Sequence, residues 1–235
     1  MPYSIMLDAG HGGRDPGAVY RGRQEKDDTL ALTLAVGEIL QDRGVDVLYT
    51  RTTDIYESPY QKAMEANEAD VDFFISIHRN SSPEPNTYSG VESLVFDRSG
   101  IKLEMAEGIN DQLESIGFVN LGVKERPGLV VLRRTDMPSV LVEAGFINSD
   151  TDNTLFDRNF DDIALAIAEG ILDTLQLNGD LPDHTVPAGS YTVQAGAFRN
   201  GTYADRLQQE LLEQDFPAVI SQNNGIYRVT VGTYP

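Results

Sequence analysis

Hydrophobic positions along the chain follow two periods that alternate with one another. A short apolar strand, Ser4-Ile5-Met6-Leu7, runs into the turn Asp8-Ala9-Gly10-His11-Gly12-Gly13-Arg14-Asp15-Pro16-Gly17. From Glu25 to Arg43, Leu30, Leu34, Val36, Ile39 and Leu40 recur at helical spacing, and Gly44 stops that helix. Val45 to Thr50 reads as a strand, Tyr60 to Ala69 as a helix, and Asp72 to Ile77 as a strand that ends on His78. Gly90 to Phe96 is a further strand, followed by a helix from Lys102 to Ile116. Leu129 to Leu132 is short and apolar. Ser139-Val140-Leu141-Val142 is a strand of buried character that ends on Glu143. A last helix runs from Phe160 to Leu175, with Ile163, Ile167, Ile171 and Leu175 in register.

Repeated βα units predict an α/β fold: a mostly parallel twisted sheet with helices on both faces. Ligands of such sheets bind beyond the carboxyl ends of the strands. His11, His78 and Glu143 all fall at predicted strand ends, so one rim collects them.

The pattern breaks between Asn178 and Ser190, where prolines, glycines and small polar residues make a linker. His184 lies in it, away from any motif, and reads as a solvent-exposed bystander. Beyond it the chain repeats itself: Tyr191–Phe198 returns as Tyr227–Tyr234, each alternating like a half-buried strand. A helix carrying Ala204, Leu207, Leu211 and Leu212 and a strand, Ala218-Val219-Ile220, lie between the copies. The expected division is therefore a catalytic domain at 1–177, a linker at 178–190 and a small α+β module, a partial βαββ unit, at 191–235.

Composition narrows the function classes. The 235 residues suffice for one well-packed core and a smaller module, and 40% hydrophobic against 23% charged residues marks a globular chain. A net charge of −19 excludes nucleic acid and anionic membrane surfaces as partners. No apolar run approaches the ~20 residues of a spanning helix, so no membrane insertion is expected. Cysteine is absent, which removes disulfides, thiolate nucleophiles and thiolate metal ligands. The N-terminus enters the first strand with no signal peptide ahead of it, so export is expected after removal of a signal or by another route.

Without thiolates, a catalytic zinc site needs imidazole nitrogens and carboxylate oxygens, three ligands with a fourth position open. His11 and His78 supply two nitrogens. Glu25, at the start of the first helix and pointing back to the strand ends, is the leading carboxylate, with Asp8 and Asp15 as rivals. Asp8 reads as a support for the His11 loop and Asp15 as a turn residue before Pro16. An acid in the first turn of a helix also suits the helix dipole, so both readings of Glu25 stand on spacing alone. Glu143 follows an apolar strand, where a carboxylate is costly to bury unless it is paired or close to a cation. Beside a metal-bound water it becomes a general base. Asn80 is a turn residue that could also orient a ligand.

Four blocks, Asp8-Ala9-Gly10-His11-Gly12-Gly13, Gln24-Glu25-Lys26, Ser76-Ile77-His78-Arg79-Asn80-Ser81 and Pro138 to Phe146, resemble in order and spacing the type-3 family of zinc-dependent N-acetylmuramoyl-L-alanine amidases. The likeness spans residues 3 to 177. Arg51-Thr52-Thr53-Asp54 and Ala66-Asn67 also resemble family positions, and Lys62 stands where many relatives carry arginine. The resemblance implies one Zn²⁺ held by His11, Glu25 and His78, and Glu143 as the catalytic carboxylate. The implied reaction is hydrolysis of the amide between N-acetylmuramic acid and the L-alanine of the stem peptide. Peptidoglycan is then the partner, and the cell wall or the extracellular space the location. Some relatives insert an inhibitory helix after the fourth strand; Phe96 leads within a few residues into the Lys102–Ile116 helix, so an open cleft is expected.

Residues 191–235 resemble the sporulation-related (SPOR) repeat, a βαββαβ module that binds peptidoglycan, often glycan strands stripped of stem peptides. The last helix and strand of that module are not in this sequence, so the segment is expected to dock on the catalytic domain or pair with another chain. Two other classes remain open at this point: another zinc peptidase of similar architecture, and a non-enzymatic wall-binding protein.

Overall fold

In the strands of the first domain, alternate residues are sorted between two cores. Ile5, Leu7, Ile75, Ile77, Val140 and Val142 enter one cluster, while Met6, Phe74, Leu141 and Leu94 enter another. Strand geometry sends successive side chains to opposite faces, so this sorting identifies a sheet covered on both sides. The computed structural model describes residues 3–177, 191–198, 204, 207–209, 211–212, 214, 216–223 and 226–234. In chain order the elements are β1 (Ser4–Ala9), β2 (Val19–Tyr20), β3 (Arg23–Gln24), α1 (Glu25–Asp42), β4 (Asp46–Tyr49), α2 (Pro59–Ala69), β5 (Phe73–Asn80), β6 (Val91–Val95), α3 (Ile101–Ser115), β7 (Asn120–Glu125), α4 (Val130–Arg133), β8 (Ser139–Phe146), α5 (Asp150–Arg158) and α6 (Phe160–Leu177), followed by β9 (Tyr191–Phe198), β10 (Ala218–Asn223) and β11 (Ile226–Tyr234).

The main sheet has the order β4-β1-β5-β8-β6-β7. Strands β4, β1, β5 and β8 are mutually parallel, β6 is antiparallel to β8, and β7 is parallel to β6. The mostly parallel sheet expected from the sequence is therefore present. From β1 the chain passes to β4 on one side and then to β5 on the other, and that reversal opens a crevice above the β1 and β5 ends.

Buried side chains of α1 (Leu32, Val36, Leu40), α3 (Met105, Ile109, Leu113) and α6 (Ile163, Ile167, Ile171) fill one face. Ala66 of α2 with Val131 and Leu132 of α4 covers the other. Gly170 lets α6 press against α3; a Cβ there would lie 2.6 Å from the Cα of Ile109.

Several elements differ from the reading of the sequence or add to it. Strands β5 and β8 run past His78 and Glu143, so both residues sit within strands rather than at their ends. Leu129–Leu132, read only as short and apolar, leads into the helical turn α4 (Val130–Arg133), with Leu129 at its N-cap. The β2–β3 hairpin, β7 and α5 were not anticipated. Strand β7 has a single fully buried residue, Val123, and α5 buries only Asp152 and Phe156, so neither writes a clear apolar period.

The chain divides into two compact units, Met1–Leu181 and Pro182–Pro235. In the second, β10, β11 and β9 form an antiparallel sheet in that order. Ala204, Ala218, Val229 and Val231 make its core, with Leu207, Leu211, Ile220 and Tyr227 packed against them. The expected linker, 178–190, and His184 within it lie outside the described residues.

On the α2 face the side chains turn polar toward the strand ends, Asp8 following Met6 in β1 and Ser76 following Phe74 in β5. Asp8 of β1 accepts from Thr50 Oγ1 (2.8 Å) and Ser76 Oγ (2.6 Å) and pairs with Lys62 Nζ at 2.7 Å. Both side chains are almost fully buried, at 1% and 4% exposure. Burial alone would raise the Asp8 pKa, but the Lys62 charge and hydrogen bond outweigh it and hold it low. The carboxylate form is thus favoured by folding, so its contribution is present above the unfolded pKa of about 3.9 and is lost as pH falls through the lower folded value. Replacing Lys62 by Met strands that charge. We expect Lys62→Met to lower stability by about 3 kcal/mol at neutral pH in chemical denaturation. The loss should shrink as pH falls, beginning above about pH 4, because burial without Lys62 raises the Asp8 pKa in the variant and lets it become neutral early.

Candidate metal centre

The rim of the sheet is built from the polar continuation of the same face. The N–H of Gly10 donates to the carbonyl of Ile77 at 3.0 Å, which carries the β1–β5 pairing one step past β1. His78 of β5 is in register with Glu143 of β8, and Glu143 with Glu92 of β6. One row of side chains therefore crosses three strands: imidazole, carboxylate, carboxylate.

His11 reaches this row from the loop after β1. Its backbone lies in the left-handed region at φ 62°, uncommon for a non-glycine residue. The loop closes on itself through reciprocal bonds between Gly12 and Asp15. Buried cations hold it from behind. Arg51 donates to the carbonyls of Ala9 (3.0 Å) and Gly10 (2.9 Å), and Lys62 Nζ to that of Ala9 at 2.7 Å.

Glu25 comes from the first turn of α1. That helix has no side-chain cap. Its first amides are met instead by loop carbonyls, Glu25 N by Ala18 O (3.0 Å) and Lys26 N by Pro16 O (3.1 Å), which answers the orphan donors of a helix start and fixes the Glu25 backbone. The carboxylate itself accepts from Ala18 N (2.9 Å) through Oε2 and from Arg79 N (3.1 Å) through Oε1.

These placements bring His11, Glu25 and His78 together, with one ligand atom from each lying within 4.8 Å of the others. Glu25 Oε1 is 3.1 Å from His11 Nε2 and 3.0 Å from His78 Nδ1. The imidazole rings meet edge to face, 4.9 Å between centroids. Two glycines make room. A Cβ on Gly10 would lie 2.5 Å from the His78 ring, and one on Gly17, at φ +65°, 2.6 Å from both Glu25 Oε2 and His11 Cδ2. Side-chain exposure is 24% for His11 and 19% for His78 but 5% for Glu25, so the imidazoles look outward over a buried carboxylate.

The electrostatics favour positive charge in this pocket. Burial opposes ionisation of both His11 and Glu25. Their hydrogen bonds and charges override it, raising His11 to about 9 with help from Asp15 and driving Glu25 far below the usual carboxylate range. Two imidazole nitrogens and a carboxylate oxygen are the donor set of a divalent-metal site, and the spacing of the three groups fits one ion.

Glu143 stands next to this group and is treated differently. Burial first, then the negative charges of Glu25 and Glu92, raise it to about 7 against the opposing influence of the imidazoles. Its Oε2 is buried with no hydrogen-bond partner among the described residues, an arrangement expected of a group awaiting a reactant.

Two roles read from the sequence change here. Asp15 is the residue that orients His11, its Oδ2 lying 2.9 Å from Nδ1, whereas a plain turn residue was expected; its position before Pro16 hid the contact. Asp8 makes no direct contact with His11 and supports the loop through Lys62. Asn80 is more than a turn residue: its amide donates to Glu92 Oε1 at 2.9 Å, while Lys124 pairs with the other oxygen of Glu92. Arg79 was passed over. Its guanidinium is buried against Phe156, 4.0 Å from the ring centroid, and donates to Asp28 (2.7 Å) and Asn153 (2.8 Å). An arginine inside an apolar strand was the available signal.

Comparison with known proteins identifies the family of the chain. The family profile described as N-acetylmuramoyl-L-alanine amidase matches residues 5–173, and that of the SPOR domain matches 187–235. The sporulation-specific N-acetylmuramoyl-L-alanine amidase of Bacillus subtilis (strain 168) is 34% identical over 222 residues, covering 92% of this chain and 83% of its own. The amidase CwlM of Bacillus licheniformis is 32% identical over the same shares. The crystal structure of an N-acetylmuramoyl-L-alanine amidase from Clostridium difficile 630 superposes with a TM-score of 0.71 at 30% identity, over 76% of this chain and 99% of that one. Both matched domains imply peptidoglycan as the partner, and no helix among the described residues is long and apolar enough to cross a membrane. The chain belongs to the N-acetylmuramoyl-L-alanine amidase family, hydrolases that cleave peptidoglycan at an amide bond, and it carries a SPOR domain behind its catalytic domain.

Proposed function

We propose that His11, Glu25 and His78 hold a single Zn²⁺ ion and that Glu143 is the carboxylate that moves protons during cleavage of the amide between N-acetylmuramic acid and L-alanine. The observation that carries this reading is the meeting of two imidazoles and Glu25 within 4.8 Å, with Glu143 on the strand position paired with His78. When bound, such an ion polarises the scissile carbonyl and lowers the pKa of a water from ~15.7 towards ~7.

The chain's own residues do the rest. Asp15 accepts the Nδ1 proton of His11, which fixes the tautomer and leaves Nε2 free to bind. Arg79 N–H and Ala18 N–H hold the Glu25 carboxylate in place through its two oxygens. Glu143 takes a proton from the attacking water through its unpartnered oxygen and returns it to the amine nitrogen of L-alanine as the C–N bond breaks.

Residues 1–177 form the catalytic domain in this reading, and 191–235 a wall-binding module joined by the 178–190 linker. The three-stranded sheet with its own core supports a module that holds glycan strands, including strands stripped of stem peptides. The working location is the cell wall or the extracellular face.

Glu143→Gln is expected to lower release of L-alanine-terminated peptides by at least about 10³-fold while bound zinc stays near one ion per chain; mass spectrometry of digested muropeptides and metal analysis check the two halves. Loss of zinc in that variant would remove Glu143 from its proton-transfer role. Asp15→Asn is expected to weaken zinc affinity by about 10- to 100-fold, measured by competition with a chelator of known affinity. A chain ended after Leu177 is expected to keep its activity on soluble muropeptides and to lose retention on purified, stem-stripped cell wall in a sedimentation assay. Equal retention with and without residues 178–235 would remove wall binding from the module.

A further inference from the structure

The loop that carries His11 also carries a cation that forms no ion pair among the described residues. Gly12 and Asp15 exchange backbone hydrogen bonds at 3.0 and 3.1 Å, so Gly13 and Arg14 form the tip of a two-residue turn. The tip is fastened from two sides. Gly13 N donates to Asp54 Oδ1 (2.7 Å), and Lys26 Nζ donates to Gly13 O (3.0 Å). Arg14 is exposed and lies over the ring of Tyr56, its guanidinium carbon 4.2 Å from the centroid.

The basic residues around it are committed. Arg51 serves backbone carbonyls, Lys62 faces Asp8, Lys26 faces Asp54 and Arg79 faces Asp28. Arg14 makes no ion pair among the described residues. In a chain of net charge −19, an anionic substrate approaches against repulsion, and an unpaired guanidinium one residue from Asp15 and three from His11 is a local exception. Stacking suits it for a carboxylate. A guanidinium lying on an aromatic face keeps its in-plane N–H groups free for a bidentate acceptor, and the ring limits the rotamer freedom lost on binding.

We propose that Arg14, held on Tyr56, is a specificity-determining residue that receives a carboxylate of the stem peptide next to the scissile amide. The proposal rests on the amidase reading and adds a preference to it: stems with a free α-carboxylate on the residue after L-alanine are cut better than stems amidated there. Arg14 takes no part in proton transfer.

The test uses the full chain loaded with zinc and two glycan-linked muropeptides that differ only in whether that carboxylate is free or amidated. The readout is the ratio of kcat/KM for the free acid to that for the amide. Wild type is expected to favour the free acid, mainly through KM. Arg14→Gln is expected to lower the ratio about tenfold, Arg14→Lys to lower it less, and Tyr56→Leu to lower it in the same direction. Added salt should reduce the wild-type ratio and not that of Arg14→Gln, in which only the repulsion from the acidic chain is left to screen. A ratio that Arg14→Gln does not move, in an enzyme that releases L-alanine-terminated peptides from both probes, overturns the role of Arg14 alone. Failure of wild type to release such peptides from either probe overturns the amidase reading, and this proposal with it.

Discussion

A single carboxylate oxygen organises the rim of this fold. Glu25 Oε1 faces an imidazole nitrogen from the loop after β1 and another from within β5, at 3.1 and 3.0 Å. Three segments far apart in sequence must arrive together for that to happen, and each is over-determined. The His11 loop is fixed by Arg51 and Lys62 on the carbonyls before it, Glu25 by amides of Ala18 and Arg79, and His78 by the β5 pairing. Gly10 and Gly17 contribute by having no side chain. Such redundancy is what a site needs to hold its geometry within a fraction of an ångström.

The supports are expensive in themselves. Burying Arg51, Lys62 and Arg79 costs desolvation that their partners return only in part; burial pulls the Arg79 pKa down to about 10 even with Asp28 beside it. The stability that tolerates this comes from the opposite face. There α1, α3 and α6 cover one alternate set of strand residues, Ile5, Leu7, Ile75, Ile77, Val140 and Val142 among them, with a continuous apolar core. The two sides of one sheet thus divide the work. One is closed by aliphatic packing, while the other begins apolar under α2 and α4 and becomes charged as the strands approach the crevice.

Much of this was legible because strand alternation and helical spacing are written directly in residue type. His11, His78 and Glu143 stood out as polar residues next to apolar runs, and Glu25 as an acid in a helix's first turn. What the spacing could not convey was which acid serves which base. Asp15 looked like a turn residue because an aspartate before Pro16 needs no further explanation, and only the reciprocal Gly12–Asp15 bonds turn its carboxylate onto His11. Edge strand β7 and helix α5 bury too few side chains to leave a period. Glu92 was within reach of the argument that found Glu143, since both are carboxylates inside apolar strands; it was missed because Gly90–Phe96 was read only as a strand.

That omission matters for how Glu143 is tuned. Like charges directly opposite each other on neighbouring strands repel, and Glu92 and Glu143 are such a pair. The repulsion is resolved by unequal treatment. Glu92 receives the amide of Asn80 on one oxygen and the ammonium of Lys124 on the other, so both of its oxygens are engaged. Glu143 has an oxygen with no partner and carries the consequence, a pKa raised to about 7 by burial and by its acidic neighbours. The hydrogen bonds thus go to one of two neighbouring carboxylates and are withheld from an oxygen of the other, which separates their environments. Asn80, two residues beyond His78 on the same strand, therefore ties the His78 side of the rim to Glu92, the neighbour of Glu143, and the β5–β8 irregularity between His78 and Asn80 falls at that junction.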